Sequence, residues 1–178
     1  MKKLSLDALN RVDIPTYKQL KKSPIVVVLD NIRSLNNIGS VFRTSDAFLI
    51  DKIYLCGITA QPPHKDIHKT ALGATDSVDW IYFENTLDAL DDLKKTGYTI
   101  VAIEQAENST MLQDFRFDFK QKYALVMGHE VKGVDQKVVD ACDMVIEIPQ
   151  FGTKHSFNIS VTTGMVLWEL FRQYKYSK

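Results

Sequence analysis

The chain has 178 residues and a mass of 20.3 kDa, and its 45% hydrophobic and 25% charged residues are typical of one globular domain and exclude a disordered or fibrous chain. Its 22 basic and 22 acidic residues cancel, so a nucleic-acid partner would have to bind a local patch. The two cysteines form no CxxC pair, and no apolar run approaches the ~20 residues that span a bilayer. The N-terminus is too polar for a signal peptide. We therefore expect a soluble cytoplasmic protein without a membrane partner.

Short apolar runs rich in Val, Ile and Tyr alternate with helical patterns along the chain. The predicted strands are 25–30, 52–56, 78–83, 98–104, 123–127 and 144–148. The clearest helix covers 85–97, with Asn85 or Thr86 as its cap and Gly97 as its stop. This alternation predicts a single α/β domain with a mainly parallel sheet flanked by helices. Residues 1–22 form a polar, basic extension, which we expect to make one or two short helices on the domain.

The first unusual loop follows the strand at 25–30 and runs into a helix that Asn36 or Asn37 should cap. Arg43 falls off the apolar stripe of this helix, and Gly39 lies one turn earlier on the same side, where it should leave room beside the guanidinium. The helix N-terminus and Arg43 together suit an anion such as an RNA phosphate. The alternative is a capped helix with a solvated arginine.

In the second loop, Gly128 and Gly133 bracket Glu130 directly after the strand at 123–127, where α/β folds bind ligands. The loop matches neither GxGxxG nor a P-loop, so a nicotinamide or nucleoside-triphosphate site is unsupported. The alternative is a plain strand-to-helix turn with Glu130 in the first turn of the following helix.

The third loop leads from the strand at 144–148 to a last helix that Ser156 or Asn158 should cap and that should end near Tyr174. One apolar stripe of this helix contains Ile159, Val166 and Leu170. A second stripe, nearly opposite, consists of Val161, Met165 and Trp168. A helix that is apolar on two faces is buried on both, so we expect a homodimer contact; the alternative is a helix sandwiched within the monomer.

Taken together, the three loops resemble the SpoU/TrmH family of RNA ribose 2′-O-methyltransferases, in the SPOUT superfamily. The similar segments are 37–44 (NIGSVFRT), 125–133 (LVMGHEVKG), 148–152 (IPQFG) and 156–161 (SFNISV), which occur in the family's order. The resemblance covers residues 25 to about 174. It implies that residues 23–178 are a SPOUT catalytic domain with a C-terminal trefoil knot.

The same resemblance implies that S-adenosylmethionine is the cofactor and that a methyl group is transferred to a ribose 2′-OH in tRNA or rRNA. It also implies an obligate dimer whose active site draws on both subunits. The alternative is a catalytically silent RNA-binding homologue of the same fold.

The resemblance implies a set of site residues as well. The implied catalytic residues are Arg43, Asn37, Glu130, Ser156 and Asn158. The implied cofactor-binding residues are Gly128, Glu130, Gly133, Ile148, Gln150, Phe157, Asn158 and Gln105, with Glu104 next to Gln105 at the end of its strand nearby. Arg43 would act as the base or, more defensibly for a guanidinium, as a clamp for a phosphate or a developing oxyanion. Glu130 would orient Asn37, Arg43 or the partner subunit. Gln150 departs from the Met that many members carry, and Phe157 departs from the Leu that most carry.

The expected RNA contacts are Lys65, Lys69 and His64 in a basic segment, together with Arg33 in the first loop. The alternative for each lysine is ordinary surface charge. His64 and His68 would be only two ligands without a cysteine, so no metal site is predicted.

Overall fold

The computed structural model describes residues 1–5, 7–118 and 120–176. The strands are β1 Ser23–Asp30, β2 Ile50–Cys56, β3 Trp80–Phe83, β4 Tyr98–Ile103, β5 Thr110–Met111, β6 Lys122–Met127 and β7 Met144–Glu147. The helices are a 3-10 turn at Asp7–Leu9 and then α1 Ile14–Gln19, α2 Leu35–Ala47, α3 Lys65–Ala71, α4 Ala74–Ser77, α5 Thr86–Lys95, α6 Gln136–Asp140 and α7 Ile159–Tyr176.

Within the described residues, the strands form one sheet in the order β3-β2-β1-β6-β4-β7-β5, and every neighbouring pair is parallel. The prediction of an α/β domain with a parallel sheet is therefore confirmed. Strands β1 and β6 lie near the centre and are almost wholly buried, as expected of strands covered by helices on both faces.

Side chains of β1 alternate between two apolar clusters, one on each face of the sheet. Ile25, Val27 and Leu29 join the cluster that includes residues of α2 and α7, whereas Val26 and Val28 join the cluster on the side of α5. The helical stripes predicted from the sequence supply the opposing residues on both faces.

Several predicted boundaries need correction. The third strand begins at Trp80 rather than at residue 78, because Val78 closes α4 by donating its backbone N–H to Ala74 O. Strand β5 was not predicted, since two residues, Thr110 and Met111, are too short for any periodicity. The helix predicted at 85–97 ends at Lys95, with Asn85 as its cap and Gly97 at a φ of +82°.

The N-terminal residues contain two short helical segments, as predicted, and Tyr17 of α1 is buried in the main core cluster. The division at residue 22 and the trefoil knot stay predictions. No helix in the described part of the chain is long and apolar enough to cross a membrane.

Parallel strands bring their carboxyl ends to one edge of the sheet. The three loops singled out in the sequence follow β1, β6 and β7 and therefore start from this edge. The segment after β4 starts from it as well, because β4 lies between β6 and β7.

Candidate active site

Glu130 joins the second loop to the N-terminus of α2. Its Oε1 accepts hydrogen bonds from the backbone N–H of Ser34 (2.9 Å) and from Asn37 Nδ2 (3.1 Å), and its Oε2 accepts from the backbone N–H of Arg33 (3.1 Å). A carboxylate at this end of a helix is stabilised by unpaired N–H groups and by the helix dipole. The alternative that places Glu130 in the first turn of its own following helix is wrong, because α6 begins only at Gln136.

These contacts determine the charge of Glu130. Burial acts to raise the pKa of its carboxyl, but hydrogen bonds from Arg33, Ser34 and Asn37 outweigh it and hold the pKa below its usual value. Glu130 is therefore ionised near neutral pH and is a weaker base than an ordinary glutamate.

Asn37 carries the connection from the second loop to the third. It is almost fully buried, and its Oδ1 accepts from Asn158 Nδ2 at 3.2 Å. Asn158 Oδ1 in turn accepts from the backbone N–H of Ser160 (2.9 Å) and from Ser160 Oγ (2.7 Å), so Asn158 caps α7 as predicted. A chain of side-chain contacts, Glu130–Asn37–Asn158, thus connects the three loops.

The predicted cap of α2 was wrong. Ser34 caps the helix, with its Oγ accepting from the backbone N–H of Asn37 at 3.3 Å, and α2 begins at Leu35. Asn37 therefore lies in the first turn, where its amide is free to bind Glu130 and Asn158.

A cavity of about 900 Å³ lies beside these contacts, between the segments that follow β4, β6 and β7. Its lining includes all of the predicted cofactor-binding residues except Asn158: Gly128, Glu130, Gly133, Ile148, Gln150, Phe157 and Gln105. Ser156, predicted as catalytic, also lines it. Asn158 contacts Asn37 instead.

The wall after β6 is a tight turn in which His129 and Gly133 exchange backbone hydrogen bonds of 3.0 and 2.8 Å. Gly133 has a φ of +69°, and a Cβ there would overlap the carboxylate of Glu104. Glu104 Oε2 accepts from the backbone N–H of Val134 (2.9 Å), which fixes the turn to the end of β4. Glycine is favoured here chiefly by the positive φ, since the overlapping carboxylate is the end of a side chain that can move.

Gln105 connects two walls of the cavity. Its Nε2 donates to the backbone carbonyl of His155 at 2.7 Å, which ties the segment after β4 to the third loop. The cavity is thus bounded by loops that hydrogen-bond to one another as well as to the sheet.

Arg43 is a predicted catalytic residue that does not contact Glu130, Asn37 or Asn158 in the described chain. It is exposed and makes no hydrogen bond or ion pair with any described residue. It lies six positions after Asn37 in the helix, which is about 9 Å along the axis. The expected space beside it at Gly39 is also absent, because a Cβ there would overlap Thr70 Oγ1 and the Ile67 carbonyl of α3.

The predicted RNA and dimer residues lie on the surface. Lys65 and Lys69 are exposed on α3, Arg33 is exposed, and His64 caps α3 by accepting from the backbone N–H of Asp66 at 3.2 Å. In the second stripe of α7, Val161 and Trp168 are about half exposed, and Met165 is partly buried.

The cavity lining also contains Glu104, which the resemblance places near the cofactor, and two acidic residues that sequence reasoning left out, Glu107 and Asp140. Glu107 follows the end of β4 closely, which is the signal that could have identified it. Neither cysteine offers a reactive thiolate, because burial raises the pKa of Cys56 and of Cys142 to about 12. The described residues contain no group of three or more His, Cys, Asp or Glu that could hold a metal ion.

Comparison with known proteins agrees with the resemblance drawn from the motifs. The family model described as SpoU rRNA Methylase family matches residues 24–168. The chain is 31% identical over 156 residues to the 23S rRNA (guanosine-2′-O-)-methyltransferase RlmB of Neisseria meningitidis, covering 88% of this chain and 61% of that protein. It is 32% identical over 164 residues to a putative TrmH family tRNA/rRNA methyltransferase of Staphylococcus saprophyticus, covering 92% and 64%.

Solved structures with the same fold include the TrmH/SpoU tRNA modifying enzyme of A. aeolicus, with a TM-score of 0.79, 27% identity and coverage of 90% of this chain and 80% of that one. The AdoMet-bound rRNA methyltransferase of Sinorhizobium meliloti has a TM-score of 0.80 and 25% identity, with coverage of 90% and 61%. The chain spans less than two thirds of the length of the curated relatives described above.

Proposed function

The chain belongs to the SpoU rRNA methylase family, and we propose that it transfers a methyl group from S-adenosylmethionine to a ribose 2′-OH in tRNA or rRNA. The observation that carries the proposal is the Glu130–Asn37–Asn158 chain of contacts, which connects three loops beside one large cavity. The relatives are named as enzymes that act on rRNA or tRNA, which supports the same reaction.

The cavity suits the proposed cofactor. Its volume of about 900 Å³ falls within the range of roughly 300–1,000 Å³ that small-molecule sites occupy. Glu104, Glu107, Glu130 and Asp140 line it against one lysine, Lys132, so the lining is acidic and suits a cationic sulfonium. Gly128, Gly133, Ile148, Gln150, Phe157, Asn158 and Gln105 would hold the cofactor together with Glu130. Bound there, S-adenosylmethionine would supply an electrophilic methyl group.

The chain's own residues would position the ribose and stabilise its 2′ oxygen, and the hydroxyl proton would leave to solvent as the methyl group is transferred. Glu130 is engaged by three donors and has a lowered pKa, so it acts as an anchor for Asn37 rather than as the base. Asn37 and Asn158 would hold the ribose, and Ser156 would shape the floor of the site. Arg43 would stabilise the negative charge on the oxygen and bind the neighbouring phosphate, because a guanidinium with a pKa above about 12 rarely gives up a proton.

We further propose that the protein is a homodimer and that Arg43 serves the cavity of the partner subunit. Two observations support this: Arg43 stands apart from the rest of its own site, and α7 exposes Val161 and Trp168. Burying this stripe against a second copy would remove apolar surface from water. Lys65, Lys69, His64 and Arg33 would contact RNA phosphates.

The proposed organisation is a basic N-terminal extension, residues 1–22, on a catalytic domain of residues 23–178. The buried Tyr17 supports an extension that packs against the domain. We propose a cytoplasmic location, which both free cysteines and an RNA substrate suit.

The direct test is methyl incorporation from labelled S-adenosylmethionine into RNA from a strain that lacks this gene. Transfer RNA and ribosomal RNA are assayed separately, and RNA from the parent strain is the matched control because its target is already methylated. We expect incorporation into one fraction of the mutant's RNA and little into the parent's. Nuclease digestion should then recover a 2′-O-methylated nucleoside.

Calorimetry would show whether the cofactor still binds. If it binds but no methyl group enters tRNA, rRNA or ribosomal assembly intermediates, the proposed methyltransferase activity is contradicted and a silent RNA-binding homologue is favoured. A methylated base in place of a methylated ribose would contradict the proposed acceptor.

A further inference from the structure

A second cavity, of about 460 Å³, lies between the segment before α3 and the start of β3. Its lining includes Pro62, His64, Lys65, His68, Asp76 and Trp80, and it shares no lining residue with the larger cavity. We call it the Trp80 cleft. Its lining combines an indole, a lysine and two histidines.

Trp80 is held in place rather than free on the surface. It is half-buried, packs against the main core cluster and belongs to an edge strand that pairs with β2. The part of the indole that lines the cleft is therefore a rigid aromatic surface. Such surfaces stack unpaired nucleobases with little regard to sequence.

The polar residues of the cleft suit a nucleotide as well. His64 is oriented by the hydrogen bond that its Nδ1 accepts from Asp66, which leaves Nε2 for another partner. Lys65 and His68 are exposed, and Asp76 is the acidic residue of the lining. A phosphate would find a cation at Lys65, while a volume of 460 Å³ admits one base and its ribose.

The cleft is connected to the proposed active site through α3. Ile67 lines the cleft, and its carbonyl lies against Gly39 of α2. Arg43 follows Gly39 by one helical turn, about 6 Å along the axis. Arg43 and the cleft therefore belong to two helices, α2 and α3, that pack directly against each other.

We infer that the Trp80 cleft binds an unpaired nucleobase of the substrate RNA, which stacks on Trp80 while its phosphate contacts Lys65. The inference rests on the proposed function, since it takes RNA as the substrate. It adds that the RNA must offer a single-stranded nucleotide at a distance from the one that is methylated.

The test compares binding of a short oligouridylate with binding of the duplex it forms with oligoadenylate, using the full chain. Trp80→Ala should weaken oligouridylate binding about 5-fold or more, because losing the stacking contact of one base lowers the affinity by at least about that factor. Trp80→Phe should retain most of the affinity, because it keeps a stacking ring. Tyr176→Ala removes an exposed aromatic ring from α7, far along the chain, and should leave the affinity unchanged.

Fluorescence supplies a readout in the folded wild-type protein, so the test does not depend on the stability of Trp80→Ala. The chain has two tryptophans, and the emission lost in Trp80→Phe belongs to Trp80. Oligouridylate should quench that component, and an oligomer of abasic nucleotides should not. Equal effects of the two oligomers would overturn the inference.

Methyl-transfer assays separate the two proposals. If wild-type protein methylates RNA but Trp80→Ala has an unchanged KM for RNA, the cleft inference fails alone. If oligouridylate quenches Trp80 but no RNA is methylated, the proposed function fails and the cleft remains an RNA site. We expect Trp80→Ala to raise the KM for RNA, with little change in kcat or in cofactor affinity.

Discussion

Glu130→Gln tests whether a carboxylate is needed where the three loops meet. The glutamine amide has the same shape but only one acceptor oxygen. It can keep the hydrogen bonds from Ser34 and Asn37, but its NH₂ group would then face the backbone N–H of Arg33, which loses its acceptor. Hydrogen bonds to a charged group contribute about 1.5–3 kcal/mol and those to a neutral group about 0.5–1.5 kcal/mol. Loss of the charge from the N-terminus of α2 costs about 0.3–1 kcal/mol more.

Water can reach the exposed Arg33 and replace part of the loss, so we expect the free energy of unfolding to fall by about 1–2 kcal/mol. For a chain of this length each kcal/mol corresponds to about 2–4 °C, so Tm should fall by about 2–8 °C. The same change releases Asn37 and should therefore reduce methyl transfer as well.

The dependence on pH distinguishes an ionised carboxylate from a side chain that only fills space. The pKa of Glu130 is lower in the folded protein than its unfolded value of about 4.3. Its contribution to stability is therefore complete above that unfolded value and is lost as the pH falls through the folded-state pKa. Glutamine does not titrate, so the stability difference between wild type and Glu130→Gln should be largest near pH 7 and should shrink below about pH 4.

Urea unfolding at both pH values, at one protein concentration, measures the difference. Glu107→Gln is the matched control, because it removes a negative charge from the same cavity at an exposed residue that makes no hydrogen bond within the described chain. A difference no larger than the control's, or one that persists unchanged in acid, would refute the anchoring role of Glu130.

Three other substitutions test the remaining parts of the proposed function. Arg43→Ala should abolish methyl transfer while cofactor affinity by calorimetry stays near normal, because the proposed contacts of Arg43 are the ribose oxygen and a phosphate of the RNA rather than the cofactor; a large loss of cofactor affinity would contradict this role. Trp168→Glu should yield monomers by sedimentation, since it buries a charge in the proposed interface, and an intact dimer would show that the stripe is not the contact. Lys65→Ala combined with Lys69→Ala should weaken RNA binding and reduce the salt slope by up to about 2, with Lys95→Ala as the control; an unchanged slope would remove these lysines from the RNA surface.

Much of the fold follows from local patterns in the sequence. Val26, Val27 and Val28 sit in a short apolar run typical of a buried strand, and the structure buries them on both faces of the sheet. Periodicity also identified the buried faces of α2 and α7. It failed where the signal was one residue: Ser34, rather than Asn36 or Asn37, caps α2.

The pairing of atoms in the site depends on contacts that no local pattern contains. Glu130 and Asn37 are 93 residues apart, and Asn37 and Asn158 are 121 apart. A parallel sheet places their loops at one edge, but it does not determine that Glu130 accepts from the backbone N–H groups just before α2 or that Asn37 binds both partners. Similarly, the sequence shows only that Gly39 lacks a side chain, whereas the structure shows that α3 occupies the space.

The position of Arg43 distinguishes the part of the site that one chain forms from the part that a second subunit would supply. The residues that one chain can bring together, Glu130, Asn37 and Asn158, are already in contact beside the cavity. Arg43 has no partner among the described residues and projects from a helix whose N-terminus, not its middle, reaches the site. If a second subunit brings its own Arg43 to this cavity, dimerisation is part of the chemistry. The Trp168→Glu monomer should then bind cofactor and still be inactive, although every proposed catalytic residue is present.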